Sequence, residues 1–222
     1  MFAGFQPDNE VNRFRNSIGA YVGLESEITE QLLVDAGVRF ENYSDFGNTF
    51  NWKLASRLEV SPDISLRGAV STGFRAPSLH QVWFNNVSIQ FLIDPATGEL
   101  EPTRVLTANN LSPVTKAFGV PDLQEETSVN FSAGFTARPA DGFTVTADFY
   151  RVTIDDRIVL GSRFSDGDPI VADILAPFSR QGVGAAQFFA NAVDTKTNGV
   201  DIVASYTTRM GEGRLELTGA AN

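Results

Sequence analysis

Apolar and polar residues alternate with a period of two in eight segments of the chain. This period is typical of β-strands, in which successive side chains point to opposite faces. The pattern predicts strands over residues 16–28, 31–43, 49–61, 65–74 and 127–138, from 143 to 149, around 200–206 and from 214 onward. Tight turns between neighbouring segments join them into an all-β, antiparallel meander of long strands.

Charged residues are confined to one face of each predicted strand. The apolar faces carry none; they include Ile18, Val22 and Leu24 in the first strand, Phe50, Trp52 and Leu54 in the third, and Val129, Phe131 and Phe135 in the fifth. One face of every strand therefore meets surroundings that exclude charge. A lipid bilayer does this, and so does the second sheet of a soluble β-sandwich, so the alternation leaves both architectures open.

The lengths of the strands and of their connections favour the bilayer. Several segments run for roughly 11 to 13 residues, whereas soluble strands cluster near 5–6 and bilayer-crossing strands need about 9–11. Short turns lie at 29–31, 62–64, 140–142 and 210–213, and they alternate with connections at 44–48, 75–126 and 160–191. Short turns on one side and long loops on the other are typical of outer-membrane barrels. The segments 75–126 and 160–191 are thus predicted to be long extracellular loops.

Composition excludes several classes of function. The 222-residue chain has a net charge of −10, no cysteine and one histidine, His80. This charge disfavours nucleic-acid binding, and the absence of cysteine excludes disulfides and thiolate metal sites. No nucleophile–base pair or metal-ligand set is present, so we expect no enzyme, metal or cofactor. The spacing of Asp155, Asp156, Asp166 and Asp168 misses the calcium-loop pattern and favours solvated loop acids.

Aromatic and charged side chains suggest further roles within the strands. Aromatic residues cluster near strand ends, as in an interfacial girdle, although ordinary strand propensity explains them as well; they are Phe40, Tyr43, Phe46, Phe50, Phe74, Phe149 and Tyr150. Five charged residues on the inner face are predicted to pair across strands; they are Arg39, Glu41, Arg57, Glu59 and Arg67.

Four segments resemble, in the same order, the motifs of TonB-dependent outer-membrane receptors. The segments are Arg-Gly-Ala-Val-Ser-Thr-Gly-Phe-Arg-Ala-Pro-Ser-Leu-His-Gln at 67–81, residues 123–128 with Gly134, residues 147–158, and residues 191–201 with Asp201 where glutamate is commoner. The resemblance covers the whole chain, 1–222. It implies part of a transmembrane barrel of about 22 strands that is plugged by an N-terminal domain. The plug, the TonB box and the remaining strands are expected outside this chain, which would form an open sheet. Because the first five residues lack the pattern of a signal peptide, the N-terminus of an exported protein is expected upstream.

The resemblance also implies a function. Such receptors sit in the outer membrane of Gram-negative bacteria and import scarce, large nutrients: ferric siderophores, haem, cobalamin or saccharides. The implied partners are outer-membrane lipid, the protein's own plug domain, the TonB complex that supplies energy, and an extracellular small-molecule ligand. Two alternatives remain open at this point: a passive porin-like channel and a soluble β-sandwich binding module.

Two sets of residues are candidates for the site. The family motif Phe74, Arg75, Ala76, Pro77, Ser78, Leu79 and His80 is interpreted as structural, because proline ends strand pairing and Ser78 suits a helix cap. The following loop contains aromatic and amide side chains that suit a sugar or siderophore ring, or else pack the loop against itself; they are Trp83, Phe84, Asn85, Asn86, Gln90 and Phe91. Residues 94–98 are predicted to form a turn, and 169–178 show helical spacing.

Overall fold

The computed structural model describes residues 7–93 and 97–222. The first five residues and most of the turn predicted at 94–98 lie outside the described residues. The strands are β1 (Ser17–Glu27), β2 (Leu32–Tyr43), β3 (Gly47–Ser61), β4 (Ile64–Arg75), β5 (Asn86–Ile93), β6 (Leu100–Ala108), β7 (Glu126–Ala140), β8 (Phe143–Leu160), β9 (Phe164–Ser165), β10 (Ala185–Met210) and β11 (Gly213–Ala221). The helices are α1 (Leu79–Trp83), α2 (Pro113–Ala117) and α3 (Pro169–Leu175), and short 3-10 turns cover Pro7–Asn9 and Ala176–Gln181.

The chain divides into two compact units. Unit 1 consists of Met1–Asn16, Arg75–Glu126 and Asp156–Val193, and unit 2 consists of Ser17–Phe74, Thr127–Asp155 and Asp194–Asn222. Unit 2 holds all eight strands that the alternation predicts. Unit 1 holds most of the two segments that the sequence assigns to long loops.

Unit 2 is a single sheet in the order β1-β2-β3-β4-β7-β8-β10-β11. The hairpins β1–β2, β2–β3, β3–β4, β7–β8 and β10–β11 are antiparallel, as the tight turns predict. Within the part of the chain that the structure describes, the first and last strands of this order do not pair with each other. The prediction of an open antiparallel sheet is confirmed.

The register places the apolar residues of neighbouring strands on a common face. One cross-strand row of this face consists of Leu24, Ala36, Leu54 and Val70. The side chains of this face are open to the surroundings: Ile18 is 73% exposed, Val22 69% and Leu54 46%. An exposed apolar face of this extent is unstable in water and suits lipid.

Unit 2 has no hydrophobic core of its own. Every buried apolar side chain among the described residues lies in unit 1, whereas the buried residues of unit 2 are Glu41 and Thr49. A soluble β-sandwich would cover the apolar face with a second sheet and bury it. The exposure of this face argues against the sandwich alternative. No helix in the described ranges is long and apolar enough to span a membrane.

Unit 1 has a sheet and a core that the alternation did not predict. β5 and β6 form an antiparallel pair. The first residues of β10, from Ala185, pair in parallel with β6 and antiparallel with β9. The core that packs against this sheet consists of Leu106, Ala108, Val114, Val171, Leu175, Val183 and Ala186. The predicted helix at 169–178 is confirmed as α3 and the 3-10 turn after it. The long segments are therefore folded, not extended loops.

The ion pairs of the inner face follow the prediction only in part. Arg67 on β4 reaches across the sheet to Asp148 on β8, and its guanidinium also donates to Thr136 on β7. Arg39 instead pairs with Glu41, at 2.8 Å, and Arg57 with Glu59, at 3.4 Å, each on its own strand. The cross-strand prediction is wrong for these two arginines, because residues two apart in a strand share a face and lie within reach of a long side chain.

The aromatic residues near the end of the β2–β3 hairpin separate into two groups. Phe40 and Phe50 lie directly opposite each other on the apolar face and are 46% and 63% exposed, as an interfacial girdle requires. Tyr43 instead stacks on Phe46, with ring centroids 4.5 Å apart, and meets the edge of Phe74 at 5.8 Å. Part of the predicted girdle is thus an aromatic cluster that packs on itself.

Candidate functional site

The candidate site is built around α1, which begins immediately after the family motif. Ser78 caps this helix: its hydroxyl accepts from the amide of Gln81 at 3.1 Å, and the Gln81 side chain accepts from the Ser78 amide at 2.9 Å. This reciprocal pair is a capping box. β4 ends at Arg75, two residues before Pro77, and α1 begins at Leu79, directly after its cap Ser78.

An open cavity of about 340 Å³ lies beside α1. Its walls come from two parts of unit 1 that are far apart in the sequence, and the lining residues are Asn9, Val11, Arg13, Leu79, His80, Trp83, Phe84 and Asn85. None of these residues is acidic. The cavity therefore combines apolar and aromatic walls with amides, one imidazole and one permanent positive charge.

The positive charge sits directly on the aromatic wall. The guanidinium carbon of Arg13 lies 4.3 Å from the centre of the Trp83 ring, a cation–π arrangement. Two residues further along, Arg15 donates to the carbonyl of Pro77 at 2.7 Å. These two contacts attach the segment before β1 to α1. The indole of Trp83 thus has a cation on one ring face and is also part of the cavity wall.

The structure brings together only half of the predicted ligand-contacting residues. Trp83, Phe84 and Asn85 line the cavity. The other three belong to β5: Asn86 is buried opposite Thr107, Gln90 accepts a hydrogen bond from Arg163, and Phe91 is 63% exposed. Since a strand separates its side chains along an extended backbone, residues close in sequence do not gather at one point here.

The segment before β1 also contributes to the cavity, although no feature of the sequence predicts it. Arg13, Val11 and Asn9 carry no motif, and only the fold brings them to α1. Leu79 and His80, which the sequence predicts to be structural, also line the cavity. Arg75 is not among the lining residues; its guanidinium forms two hydrogen bonds with the carboxylate of Glu126.

The cavity suits binding more than catalysis. Its lining residues include no nucleophile paired with a base. Within residues 7–93 and 97–222, no group of three or more histidine or acidic side chains is placed to hold a metal ion. A flat aromatic ring, a cation and two side-chain amides are groups that can recognise a planar or anionic small molecule.

Comparison with known proteins agrees with this architecture. The solved structures of the siderophore receptor PirA from Pseudomonas aeruginosa and from Acinetobacter baumannii both superpose with a TM-score of 0.62 at 17% identity. They cover 93% and 90% of this chain, which spans 35% and 26% of theirs. The iron-regulated outer membrane virulence protein of Vibrio cholerae serotype O1 is 26% identical over 138 residues, which are 62% of this chain and 18% of that protein. The chain thus spans about a third or less of the relatives that it matches.

The family follows from the whole length of the sequence. The family model described as "TonB dependent receptor-like, beta-barrel" matches residues 1–222. This match includes the four segments whose motifs carried the resemblance, and the open sheet of unit 2 has the strand order and the exposed apolar face of a barrel wall. The chain belongs to the β-barrel part of the TonB-dependent receptor family.

Proposed function

We propose that this chain is part of an outer-membrane receptor that imports a ferric siderophore with energy from the TonB complex. Members of the family are receptors and transporters, not enzymes. The structural neighbours include siderophore receptors and a ferric enterobactin receptor, and the relative from Vibrio cholerae is iron-regulated by name. These likenesses support iron import over the other cargoes of the family. A passive channel gains no support from them.

The observation that carries the proposal is the cavity beside α1. Ferric complexes of catecholate siderophores are anionic and carry planar aromatic rings. The Trp83 ring offers a stacking surface, the Arg13 guanidinium offers a compensating charge, and no acidic residue lines the wall. Five of the eight lining residues, from Leu79 to Asn85, belong to the segment 75–126, which is predicted to be extracellular, where a ligand would arrive first.

The same proposal accounts for the two faces of unit 2. The apolar face would meet outer-membrane lipid, and the opposite face, which carries Arg39, Lys53 and Arg67, would face the lumen and the plug domain of the complete receptor. Segments 75–126 and 160–191 would be extracellular, and TonB would act on the plug region outside this chain.

Replacing Trp83 with alanine tests the proposal. In the full-length protein, W83A is expected to weaken binding of ferric enterobactin about thirtyfold, because loss of an aromatic anchor and its cation–π partner costs about 2 kcal/mol. Binding can be measured by the quenching of intrinsic fluorescence on titration with the ferric complex. F91A is the matched control: this exposed aromatic residue of β5 is not among the cavity-lining residues, and its loss should leave the affinity unchanged. Equal losses in both variants, or no binding by the unaltered protein, would refute the proposal.

A further inference from the structure

Each of the four family motifs contributes at least one residue to a hydrogen-bonded cluster in unit 1. The carboxylate of Glu126, from the second motif, is only 4% exposed. It accepts hydrogen bonds from the guanidinium of Arg75, from the first motif, with the Nε–Oε2 bond at 2.8 Å. It also accepts from the amide of Ile158, from the third motif, at 2.7 Å. The side chain of Glu126 thus joins residues that lie 51 positions before it and 32 positions after it in the sequence.

The fourth motif contributes Asn191, near the start of β10. Its amide nitrogen donates to the carbonyls of Gln124, at 3.1 Å, and Asp156, at 2.7 Å. Its amide oxygen accepts from the Gln124 amide at 3.0 Å. The side chain therefore forms one pair of bonds with Gln124 and a third bond to a strand that is remote in sequence. We name this cluster the motif clasp; its members are Arg75, Gln124, Glu126, Asp156, Ile158 and Asn191.

The clasp joins the same two stretches of backbone twice. Gln124 and Glu126 lie two residues apart, as do Asp156 and Ile158. The Glu126–Ile158 bond joins these stretches directly, and Asn191 bridges them through Gln124 and Asp156. Asp156 has a φ of +57°, the left-handed region that residues other than glycine seldom adopt. Such a conformation persists where the surrounding bonds determine it, as two joined bridges do here.

We propose that the motif clasp couples the two long segments of unit 1, residues 75–126 and 156–193. Loss of either the Glu126–Ile158 bond or the Asn191 bonds would then loosen both segments. Glu126 and Ile158 are buried, so loss of the bond between them leaves buried groups without partners. Gln124 and Asp156 are exposed, but they lie two residues from Glu126 and Ile158 on the same stretches of backbone, so loss of the Asn191 bonds releases the backbone that carries the buried pair. The clasp would thus make the two segments a single conformational unit, although they are separated in sequence by β7 and most of β8. This coupling does not depend on which ligand the protein binds.

Hydrogen–deuterium exchange of the full-length protein in lipid, without ligand, tests the coupling. Asn191→Asp keeps the shape and the acceptor oxygen but removes both donated bonds. Exchange at the Ile158 amide should rise about tenfold in this variant, although Asn191 does not touch that amide. Glu126→Ala should likewise raise exchange at the Gln124 amide. Should that variant fail to assemble, Glu126→Gln, which keeps the size of the side chain, is expected to give the same pattern.

Two neighbouring residues provide matched controls. Asn198 lies on the same strand as Asn191 at an exposed position, and its control variant is Asn198→Asp. Glu125 lies beside Glu126 and is more exposed, and its control variant is Glu125→Ala. Both should leave exchange at Gln124 and Ile158 unchanged. Exchange that rises only at amides bonded directly to the replaced side chain would overturn the coupling, as would unchanged exchange in the clasp variants.

Discussion

Leu54→Arg is expected to lower the free energy of unfolding of the full-length protein by about 2–4 kcal/mol, the cost of a charge on the lipid face at mid-bilayer. Leu54 lies at the centre of β3, in the apolar cross-strand row between Ala36 and Val70, and is 46% exposed. The loss arises because no partner or water is available to the guanidinium in hydrocarbon. Urea unfolding in lipid vesicles, followed by the electrophoretic shift between folded and unfolded forms, measures it.

The adjacent position gives the matched control. Ala55 points to the opposite face, in the row that places it directly across from Asp35 and Ala69. An arginine there would find a carboxylate on the neighbouring strand, so Ala55→Arg should change the free energy of unfolding by less than about 1 kcal/mol. If Ala55→Arg proved the more damaging of the two, the assignment of the lipid face would be reversed.

Gly134→Ala should be the second most disruptive change, with a loss of about 1–3 kcal/mol from overpacking. A Cβ at this position would overlap Oδ1 of Asp148 and would lie 2.5 Å from the carbonyl oxygen of Ala147. The carbonyl cannot move without shifting β8. The carboxylate cannot move freely either, because Arg67 holds it with two hydrogen bonds. The midpoint of urea unfolding, measured on the same full-length protein in vesicles, should fall.

Gly23→Ala is the control for this prediction. Gly23 also lies within a strand of unit 2, but a Cβ there would meet no atom within 4 Å. Alanine restricts the unfolded chain, so this variant should be neutral or slightly more stable. Equal destabilisation by the two variants would show that the loss of glycine, and not the approach of Asp148 and Ala147, is responsible.

Most of unit 2 could be predicted from the sequence, because each face of its strands has one environment along its whole length. The alternation found β1 to β4 nearly to the residue. It missed most of β10, which begins at Ala185, and the hairpin of β5 and β6. β5, β6 and the start of β10 lie in unit 1, where several elements cover a side chain from more than one direction and the period of two is lost. In β5, for instance, residues from Asn86 to Gln90 are all at least half-buried.

The candidate site was harder to predict than the fold. Aromatic and amide composition drew attention to Trp83, Phe84 and Asn85, which line the cavity, but equally to Asn86, Gln90 and Phe91, which do not. Composition does not reveal that a strand begins at Asn86 and carries the later residues away. Nor does it reveal Arg13, whose position over the Trp83 ring depends on where the segment before β1 runs.

The sequence by itself determined the two faces of the sheet, the short turns and the family, since these depend on local periodicity and on motifs that are each contiguous. Only the tertiary structure decided what the motifs do together. Arg75, Glu126, Ile158 and Asn191 carry no sign of mutual contact along the chain, and strand pairing places them within hydrogen-bond distance. The physical reason is that the buried carboxylate of Glu126 and the buried backbone amide of Ile158 require partners, while the choice of partner is made by the fold and not by neighbouring residues.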